Sequence, residues 1–351
     1  MKKEFCTMKK LASLILVLVV ILTMIPTAFA EEAPKKIAII CDPVGNNLFL
    51  TQVVDEAKKM ESEYNIEVTT IECGDTDEWQ FNYEAASYED YDLILGVGWQ
   101  SAEYASNMAD QFGDVKKYAV IDTDAGNEKV MSIMYNEQQA AYLMGVMAAA
   151  AFPEQEMFGY IGCFDGAGSF KYRWGFAEGV KSITPNAKFM FNFTNSYSDT
   201  AIAYDYAKQQ QKAGATYIFG GAAACNEGIF TAALELAQAN TPIYSIAQDA
   251  DATKESNPYI LSSQLKNTGV STRYVIEAFL NDTMTMGLTE QALVDGAIGA
   301  THVTNPGAYL NSEILTEDVI NTCKAAVEKI VNGELVLTVP ADMDSYVFDG
   351  E

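Results

Sequence analysis

The sequence has few of the residues that most enzymes use to bind metals or to activate a nucleophile. His302 is its one histidine, and none of its six cysteines forms a C-x-x-C pair. Histidines and closely spaced cysteines provide most zinc ligands, and a histidine is the base of most nucleophilic triads. We therefore expect no metal site, no cofactor and no enzyme activity.

The glycine motifs that bind phosphates or expose a nucleophilic serine are missing as well. The sequence contains no G-x-x-x-x-G-K-[ST], G-x-G-x-x-G or G-x-S-x-G pattern, so the glycines of segment 220–228 are weak evidence for a phosphate site. A secreted hydrolase that acts through Asp122, Asp124 or Asp249 stays open as a minor alternative, because Asp-rich loops can bind Ca²⁺ and activate water.

The first thirty residues have the organisation of a secretory signal peptide. Four lysines precede an apolar run at 11–25, and Ala28-Phe29-Ala30 has the small-x-small pattern of a cleavage site. The run is shorter than the ~20 residues that span a bilayer comfortably, so we expect cleavage after Ala30 and a protein that works outside the cytoplasm, in the periplasm, at the cell surface or secreted. Cys6 lies upstream of the run, so the sequence predicts no lipobox.

Negative charge dominates the composition. The formal net charge is −26, and removal of residues 1–30, with four lysines and one glutamate, makes it −29. Such a surface repels nucleic acid and anionic membranes and argues against a polyanionic ligand, but it allows a neutral or cationic small molecule. Five cysteines remain after cleavage, and we expect buried free thiols while their disulfide state stays open: Cys41, Cys73, Cys163, Cys225 and Cys323.

Apolar, β-branched runs alternate with helical patterns along the rest of the chain. Segment 37–59 shows such a run, then a turn cluster of Asp, Pro, Gly and Asn, then apolar residues at helical spacing, and segment 158–180 repeats this order. The alternation is typical of βαβ units with a parallel sheet. With 351 residues, 49% of them hydrophobic, the chain is long enough for two such domains. The sequence therefore predicts an α/β fold of two doubly wound parallel-sheet lobes.

Polar clusters follow most of the predicted strands, and parallel sheets bring strand ends of this kind to one edge. The clusters are Asp42, Gly98-Trp99, Asp122, Asp165, 220–228 and Asp249. Two lobes with these edges facing each other form a cleft that suits a neutral, hydroxylated ligand bearing a ring, because carboxylates accept hydrogen bonds from hydroxyl groups and aromatic faces pack on rings. Each single Asp is explained equally well as the cap of the next helix.

In the order of its motifs the chain resembles the basic membrane protein (BMP) family, the purine nucleoside receptor type of ABC transporter substrate-binding protein. The resemblance runs from about residue 37 to 340 and is strongest at 158–185. There G-Y-I-G-x-x-D is followed by Gly175–Val180 (GFAEGV) and Thr184-Pro185. Shorter matches are Val120–Asp122, Ala141–Gly145, Asn195–Asp199, Gly214–Phe219, Asp249–Asp251 and Leu261–Lys266.

The resemblance implies a type I periplasmic-binding-protein fold, two lobes joined by a three-stranded hinge. With it we place the first crossing near 134–137, lobe 1 at 36–134 plus 250–264, and lobe 2 at 135–249 plus 265–340. The implied function is capture of a nucleoside-like ligand and its delivery to an ABC transporter permease by hinge closure, with the protein a monomer.

The family pattern also implies roles for single residues. By position, Phe49 and Phe219 resemble the aromatics that sandwich the base, and Asp249 with Lys266 resembles the pair that holds the ribose hydroxyls. Asp42 and Asp122 correspond to cleft walls, and Gly162 and Gly221 to positions where the backbone approaches the ligand. The expected ligand-binding set is Asp42, Asn47, Phe49, Trp99, Asp122, Gly162, Phe219, Gly221, Asp249 and Lys266.

The chain departs from the family pattern on the side that contacts the base. Its first loop is shorter and carries Asn46-Asn47, Trp99 stands where the family has Phe, and Gln139 stands where it has Glu. Segment 224–228 replaces the family's Thr-Gly-x-Gly. A purine nucleoside is the favoured ligand. Binding or sensing of a flavin, another nucleobase compound or a sugar stays open, and so does a secreted nucleoside hydrolase.

Overall fold

The structure is a computed structural model that describes residues 33–45, 47–341, 343 and 348. Every element below belongs to one compact unit that begins at Lys35. The predicted signal peptide, 1–30, lies outside the described residues. Within the described part, no helix has the length and apolar character that crossing a membrane requires.

In the described residues, twelve strands form two sheets of six. The first sheet has the order β11 (Gly287–Gln291), β5 (Val130–Tyr135), β4 (Lys117–Ile121), β3 (Leu93–Val97), β1 (Lys35–Cys41), β2 (Ile66–Glu72), all parallel. The second has the order β12 (Ile298–Ala300), β10 (Ile260–Lys266), β9 (Tyr244–Asp249), β8 (Tyr217–Gly221), β6 (Met157–Gly162), β7 (Lys188–Phe193). Only the pairing of β12 with β10 is antiparallel among these.

Helices connect the strands and cover the sheets. They are α1 (Leu48–Glu61), α2 (Thr76–Tyr88), α3 (Ser101–Phe112), α4 (Glu137–Ala151), α5 (Ala167–Lys181), α6 (Thr200–Lys212), α7 (Asn226–Gln238), α8 (Thr268–Leu280) and α9 (Glu317–Val331). Four of them begin at a polar side chain that accepts a hydrogen bond from the first turn: Asn47, Asp75, Asp199 and Thr316. Such N-caps satisfy backbone N–H groups that have no partner within the helix.

The two sheets have the same strand order, so each strand of the first has a counterpart in the second. The strand β4 corresponds to β9, and β5 corresponds to β10. Asp122 directly follows β4, and Asp249 is the last residue of β9. The two aspartates therefore occupy equivalent places in the two lobes, and the predicted fold of two doubly wound lobes is confirmed.

The chain passes between the sheets three times, after β5, after β10 and after β11, which agrees with the expected three-stranded connection. The crossings are bonded to their neighbours. The N–H of Asn136 donates to the carbonyl of Gln291 (2.9 Å), and the N–H of Asn267 donates to that of Ala297 (2.7 Å).

The strand pairing corrects the expected lobe boundaries in one region. We expected 250–264 in lobe 1, but β10 pairs with β9 and belongs to the second sheet. Conversely, β11 lies within the segment expected in lobe 2 and pairs with β5 of the first sheet. From the sequence we identified β10 only through its family motif and predicted no strand at β11, whose residues form no apolar run. The sheet that each strand joins depends on the path of the crossover before it. The other boundaries stay a prediction.

The helices α4 and α5 pack closely against each other. A Cβ added to Gly145 would lie 2.1 Å from the carbonyl oxygen of Phe176, and one added to Gly179 would lie 2.1 Å from that of Tyr142. Only glycine allows two helix backbones to come this close, because any side chain would clash with the facing carbonyl oxygen. These glycines belong to the motifs that the sequence shares with the family, and they fix the two helices that carry Glu137, Lys171 and Tyr172.

Candidate functional site

The carboxyl ends of the two sheets bring Asp122, Asp249 and Lys266 together. Asp122 follows β4 of lobe 1, whereas Asp249 and Lys266 end the neighbouring strands β9 and β10 of lobe 2. Both aspartates have a left-handed backbone, with φ of 68° and 70°, a conformation that non-glycine residues adopt mainly when surrounding contacts require it. Equivalent turns in the two lobes thus direct carboxylates into the same region.

Lys266 is the centre of this cluster. Its Nζ donates to Asp122 Oδ1 at 2.7 Å and lies 3.4 Å from Glu137 Oε1, and 6% of its side chain is exposed. The ammonium also lies 5.2 to 5.8 Å from the ring centres of Tyr135, Tyr172 and Phe49. The aromatic faces stabilise the cation, and the carboxylates satisfy its charge.

Asp249 is held from the same lobe. Its Oδ1 accepts from the hydroxyl of Tyr172 at 3.3 Å, and its N–H donates to Gln264 Oε1 at 3.4 Å. The expected pair of Asp249 and Lys266 is therefore part of a larger cluster in the structure. The ammonium's direct ion-pair partners are Asp122 and Glu137, and Asp249 acts on it through its charge.

The protonation states follow from several carboxylates sharing one buried cation. Burial raises the pKa of Asp122, the attraction of Lys266 lowers it, and the charges of Glu137 and Asp249 raise it; the net result is a pKa of about 6. Burial also raises the pKa of Asp249. For Lys266, burial lowers the pKa, but the attraction of Asp122, Tyr172, Glu137 and Asp249 prevails and the pKa lies well above its ordinary value. Lys266 is therefore a cation at neutral pH.

Glu137 and Lys171 belong to the cluster although the sequence analysis did not select them. Glu137 is the first residue of α4, and its Oε2 lies 3.2 Å from Lys171 Nζ on α5. A glutamate at a helix start normally indicates only a favourable interaction with the helix dipole. Its proximity to Lys266, more than a hundred residues away, is visible only in the fold.

Three expected residues of lobe 1 lie along the same sheet edge. Asp42 accepts from Gln100 Nε2 (2.7 Å) and Trp79 Nε1 (3.3 Å), and the ring of Phe49 faces Lys266. The carbonyl of Phe49 accepts from the hydroxyl of Thr268 at 2.7 Å. Asn47 caps α1 by accepting from the N–H of Phe49, so its side chain has a structural task independent of any ligand.

The structure places Phe219 in the core, where the resemblance implied a ligand-stacking ring. Its exposed fraction is 0%, and it packs against Tyr160, Tyr172 and Phe176 with ring centres 5.5 to 6.3 Å apart. It lies within a strand that is buried along its whole length. A ring with no exposed surface cannot stack on a ligand unless the strand rearranges.

Gly162 and Gly221 have a packing role instead of the expected approach to a ligand. A Cβ at Gly221 would lie 2.5 Å from the hydroxyl of Tyr160, and one at Gly162 would lie 2.8 Å from its ring. Both glycines are buried at strand ends. The space that they leave is occupied by the Tyr160 ring.

Exposed aromatic rings do occur at the carboxyl edges of both sheets. Trp99, after β3, is 67% exposed, and Tyr197, after β7, is 57% exposed. The ring of Tyr197 lies 5.0 Å from that of Phe164, which follows β6 and is also exposed. The sequence signal that identifies Phe164 and Tyr197 is their place just beyond a strand, in the same Asp- and Ser-containing loops.

A cavity of about 450 Å³ lies elsewhere, beside the loop from His302 to Leu310. Its lining contains no carboxylate, and His302 Nε2 is already within 2.8 Å of the carbonyl oxygen of Tyr309. The buried charged cluster around Lys266 lies at the carboxyl ends of the strands, so we take that region as the candidate site. Cys41, Cys73, Cys163, Cys225 and Cys323 are free thiols in the structure, and the described residues contain no group of metal-ligating side chains.

Proteins of known sequence resemble the chain over most of its length. An uncharacterized lipoprotein of Pyrococcus furiosus is 26% identical over 286 residues, 76% of this chain and 71% of that protein. A protein of Lactococcus lactis described as an ABC transporter nucleoside-binding protein, BmpA, is 23% identical over 287 residues, 78% of each chain.

Solved structures show the same fold. A solute-binding protein of an ABC transporter system from Aeropyrum pernix superposes with a TM-score of 0.75 at 21% identity, covering 89% of this chain and 95% of that one. The family model described as "ABC transporter substrate-binding protein PnrA-like" matches residues 35–340, which include both lobes and all three crossings. The chain therefore belongs to the Bmp family of ABC transporter substrate-binding proteins.

Proposed function

We propose that this protein captures a nucleoside-like ligand, with a purine nucleoside favoured, between its lobes outside the cytoplasm and delivers it to an ABC importer. The observation that carries the proposal is the cluster of Lys266 with Asp122, Glu137 and Asp249 at the carboxyl ends of both sheets. Its two aspartates come from opposite lobes, so a ligand held by both requires the lobes to be closed.

The cluster has the donors and acceptors that a sugar requires. An ammonium can donate three hydrogen bonds, and within the described part of the chain Lys266 makes one, to Asp122. The oxygens of Asp122 and Asp249 accept from hydroxyl groups. Three carboxylates against the cations of Lys266 and Lys171 leave the cluster net negative, which disfavours a phosphorylated ligand.

The exposed rings supply the second half of a nucleoside site. Trp99 belongs to lobe 1 and the pair of Phe164 and Tyr197 to lobe 2, and all three follow strands at the same edges as the cluster. Planar bases stack on such rings. The name of the Lactococcus lactis relative, a nucleoside-binding protein, agrees with this assignment.

Delivery to the importer follows from closure. The hydrogen bond between Lys266 and Asp122 joins lobe 2 to lobe 1, and a ligand bound to the same groups adds further bonds across the cleft. A ligand shifts the equilibrium between open and closed forms by its difference in affinity for them. The closed monomer is then the form that the permease recognises.

A thermal-shift screen tests the proposal. Mature protein, unfolded and refolded to remove bound ligand, is mixed with adenosine, guanosine, inosine, cytidine, uridine, riboflavin, ribose or guanosine 5′-monophosphate. A ligand at about 100 times its Kd stabilises the native state by about 2.7 kcal/mol, a rise of several degrees in Tm. We expect a rise with purine nucleosides and none with the monophosphate. A rise with riboflavin or ribose alone would refute the nucleoside assignment, and free base released from inosine would establish a hydrolase.

A pair of variants separates binding from stability in that screen. Asp249→Asn removes a carboxylate of the cluster, whereas Asp205→Asn makes the same change on an exposed position of α6. We expect the first variant to lose the ligand-induced rise and the second to keep it. Equal rises in both variants would show that the ligand binds elsewhere.

A further inference from the structure

Glu137 and Lys171 lie next to Lys266 and have no part in the ligand contacts described above. Glu137 Oε1 lies 3.4 Å from Lys266 Nζ, and its Oε2 lies 3.2 Å from Lys171 Nζ. The side chain of Glu137 is 7% exposed. Each of its oxygens is thus already paired with an ammonium, and a ligand in the cleft has little access to it.

Lys171 joins the same group to the first crossing between the lobes. Its Nζ donates to the carbonyl of Tyr135, the last residue of β5, at 3.0 Å and to Glu137 Oε2 at 3.2 Å. Residues 135–137 lead from the first sheet into α4, so the ammonium of Lys171 fastens this segment to α5. The close packing of α4 on α5 then leaves Glu137 little freedom to move.

Glu137 and Asp122 differ in the lobe to which they belong. Asp122 follows β4 of lobe 1 and moves away from Lys266 when the lobes separate, whereas Glu137 begins a helix that packs within lobe 2 beside Lys266. We propose that Glu137 is a positioning residue that holds the ammonium of Lys266 at the cleft in the open form, before a ligand arrives, and that Lys171 acts through it by holding Glu137 in place. The inference rests on the proposed function in that Lys266 meets the ligand.

Removing the charge of Glu137 should lower two pKa values, those of Lys266 and Asp122. The groups that face Lys266 are Asp122, Asp249, Glu137, Tyr135 and Tyr172. Loss of Glu137 lowers the pKa of Lys266, because one of the charges that raise it is gone. It also lowers the pKa of Asp122, which the charge of Glu137 raises. A residue that only fills space changes neither value.

The first measurement requires no ligand. Ligand-free protein is acetylated at about pH 9, and the rate at Lys266 is measured by peptide mass spectrometry. A carboxylate at this distance shifts a pKa by about one unit or more, so Glu137→Gln is expected to raise the rate about tenfold. The matched control is Glu103→Gln, which alters another first-turn glutamate that is exposed on α3, and its rate at Lys266 should equal that of the wild type.

The second measurement is the affinity for the nucleoside that gives the greatest thermal shift, between pH 5 and pH 8. Glu137→Gln should raise Kd about tenfold and move the loss of affinity at low pH to a lower pH, since Asp122 then keeps its charge further into acid. Lys171→Met should raise Kd while leaving the acetylation rate unchanged, because Glu137 still faces Lys266. This second variant keeps the inference testable if the first does not fold.

The outcomes separate the two claims. Wild-type acetylation rates in Glu137→Gln, or wild-type affinity and pH dependence in both variants, overturn the inference whichever ligand is bound. If no nucleoside binds the wild type, the proposed function fails, and the acetylation rate alone decides whether Glu137 holds Lys266.

Discussion

Replacing Asp122 with asparagine should make the protein more stable at pH 8, although it removes a partner of Lys266. Asparagine has the shape of protonated aspartate and carries no charge to bury. Burial and the charges of Glu137 and Asp249 raise the pKa of Asp122 to about 6, against the attraction of Lys266. Lys266 keeps its contact with Glu137 and the nearby charge of Asp249 after the change. The ionised carboxylate is thus a net cost to the fold.

The size of that cost follows from the pKa. Each pKa unit corresponds to about 1.36 kcal/mol, so a rise from 3.8 to about 6 amounts to about 3 kcal/mol. The side chain is 25% exposed, and screening by solvent reduces the value, so we expect a gain of about 1–3 kcal/mol. Because the folded-state pKa is raised, protonation of Asp122 stabilises the fold. This contribution is complete below about pH 3.8 and is lost as the pH rises through about 6. The advantage of asparagine should therefore disappear at about pH 4.

Urea unfolding of ligand-free protein at pH 8, 6 and 4 measures this difference, with Asp114→Asn as the control at an exposed position of lobe 1. The control should match the wild type at every pH. An Asp122→Asn variant that is less stable than the wild type at pH 8 would refute the reasoning, since the attraction of Lys266 would then outweigh burial. The variant should also bind nucleosides more weakly, which makes Asp122 a group retained for function at the expense of stability.

Three further substitutions test the assignment of aromatic and glycine positions. Tyr197→Ala should raise the Kd for a nucleoside at least about fivefold, since a stacked base is worth about 1–3 kcal/mol, and urea unfolding should be unchanged because the ring is exposed; an unchanged Kd would remove Tyr197 from the site. Phe219→Ala should lower the free energy of unfolding by about 3–5 kcal/mol as a core cavity, and a fully stable variant with weakened binding would restore it as a ligand residue. Gly221→Ala should destabilise by about 1–3 kcal/mol, because its Cβ meets the hydroxyl of Tyr160; normal stability with lost binding would favour a backbone contact with the ligand.

Much of the fold was predictable because it depends on local patterns. Apolar runs followed by turn residues and helical spacing located the strands β1 to β9, and the rule that ligands bind at the carboxyl ends of parallel strands selected Asp122 and Asp249. The family motif around Lys266 added the third member of the cluster. The pairing of β10 and β11 was not predictable in this way, since the sheet that each strand joins depends on the path of the crossover before it.

The site residues that sequence reasoning placed differently share a physical cause. Phe219 lies in a strand buried on both faces, and such a strand has no alternation to show which side chains reach a surface. Gly162 and Gly221 were expected to let the backbone approach a ligand. In the structure the Tyr160 ring fills the space beside both glycines, and the sequence does not reveal the direction of that ring. Glu137 is the first residue of a helix, where a glutamate needs no explanation beyond the helix dipole.

The sequence by itself determined the two-lobed α/β architecture, the positions of the polar turns and the acidic character of the protein, because periodicity, turn chemistry and charge are properties of neighbouring residues. Only the tertiary structure decided which carboxylates surround Lys266, which rings stay exposed and which glycines serve packing. Those properties depend on contacts between segments far apart in the chain. Burial, and with it the raised pKa of Asp122, exists only once the two lobes have folded around the same cation.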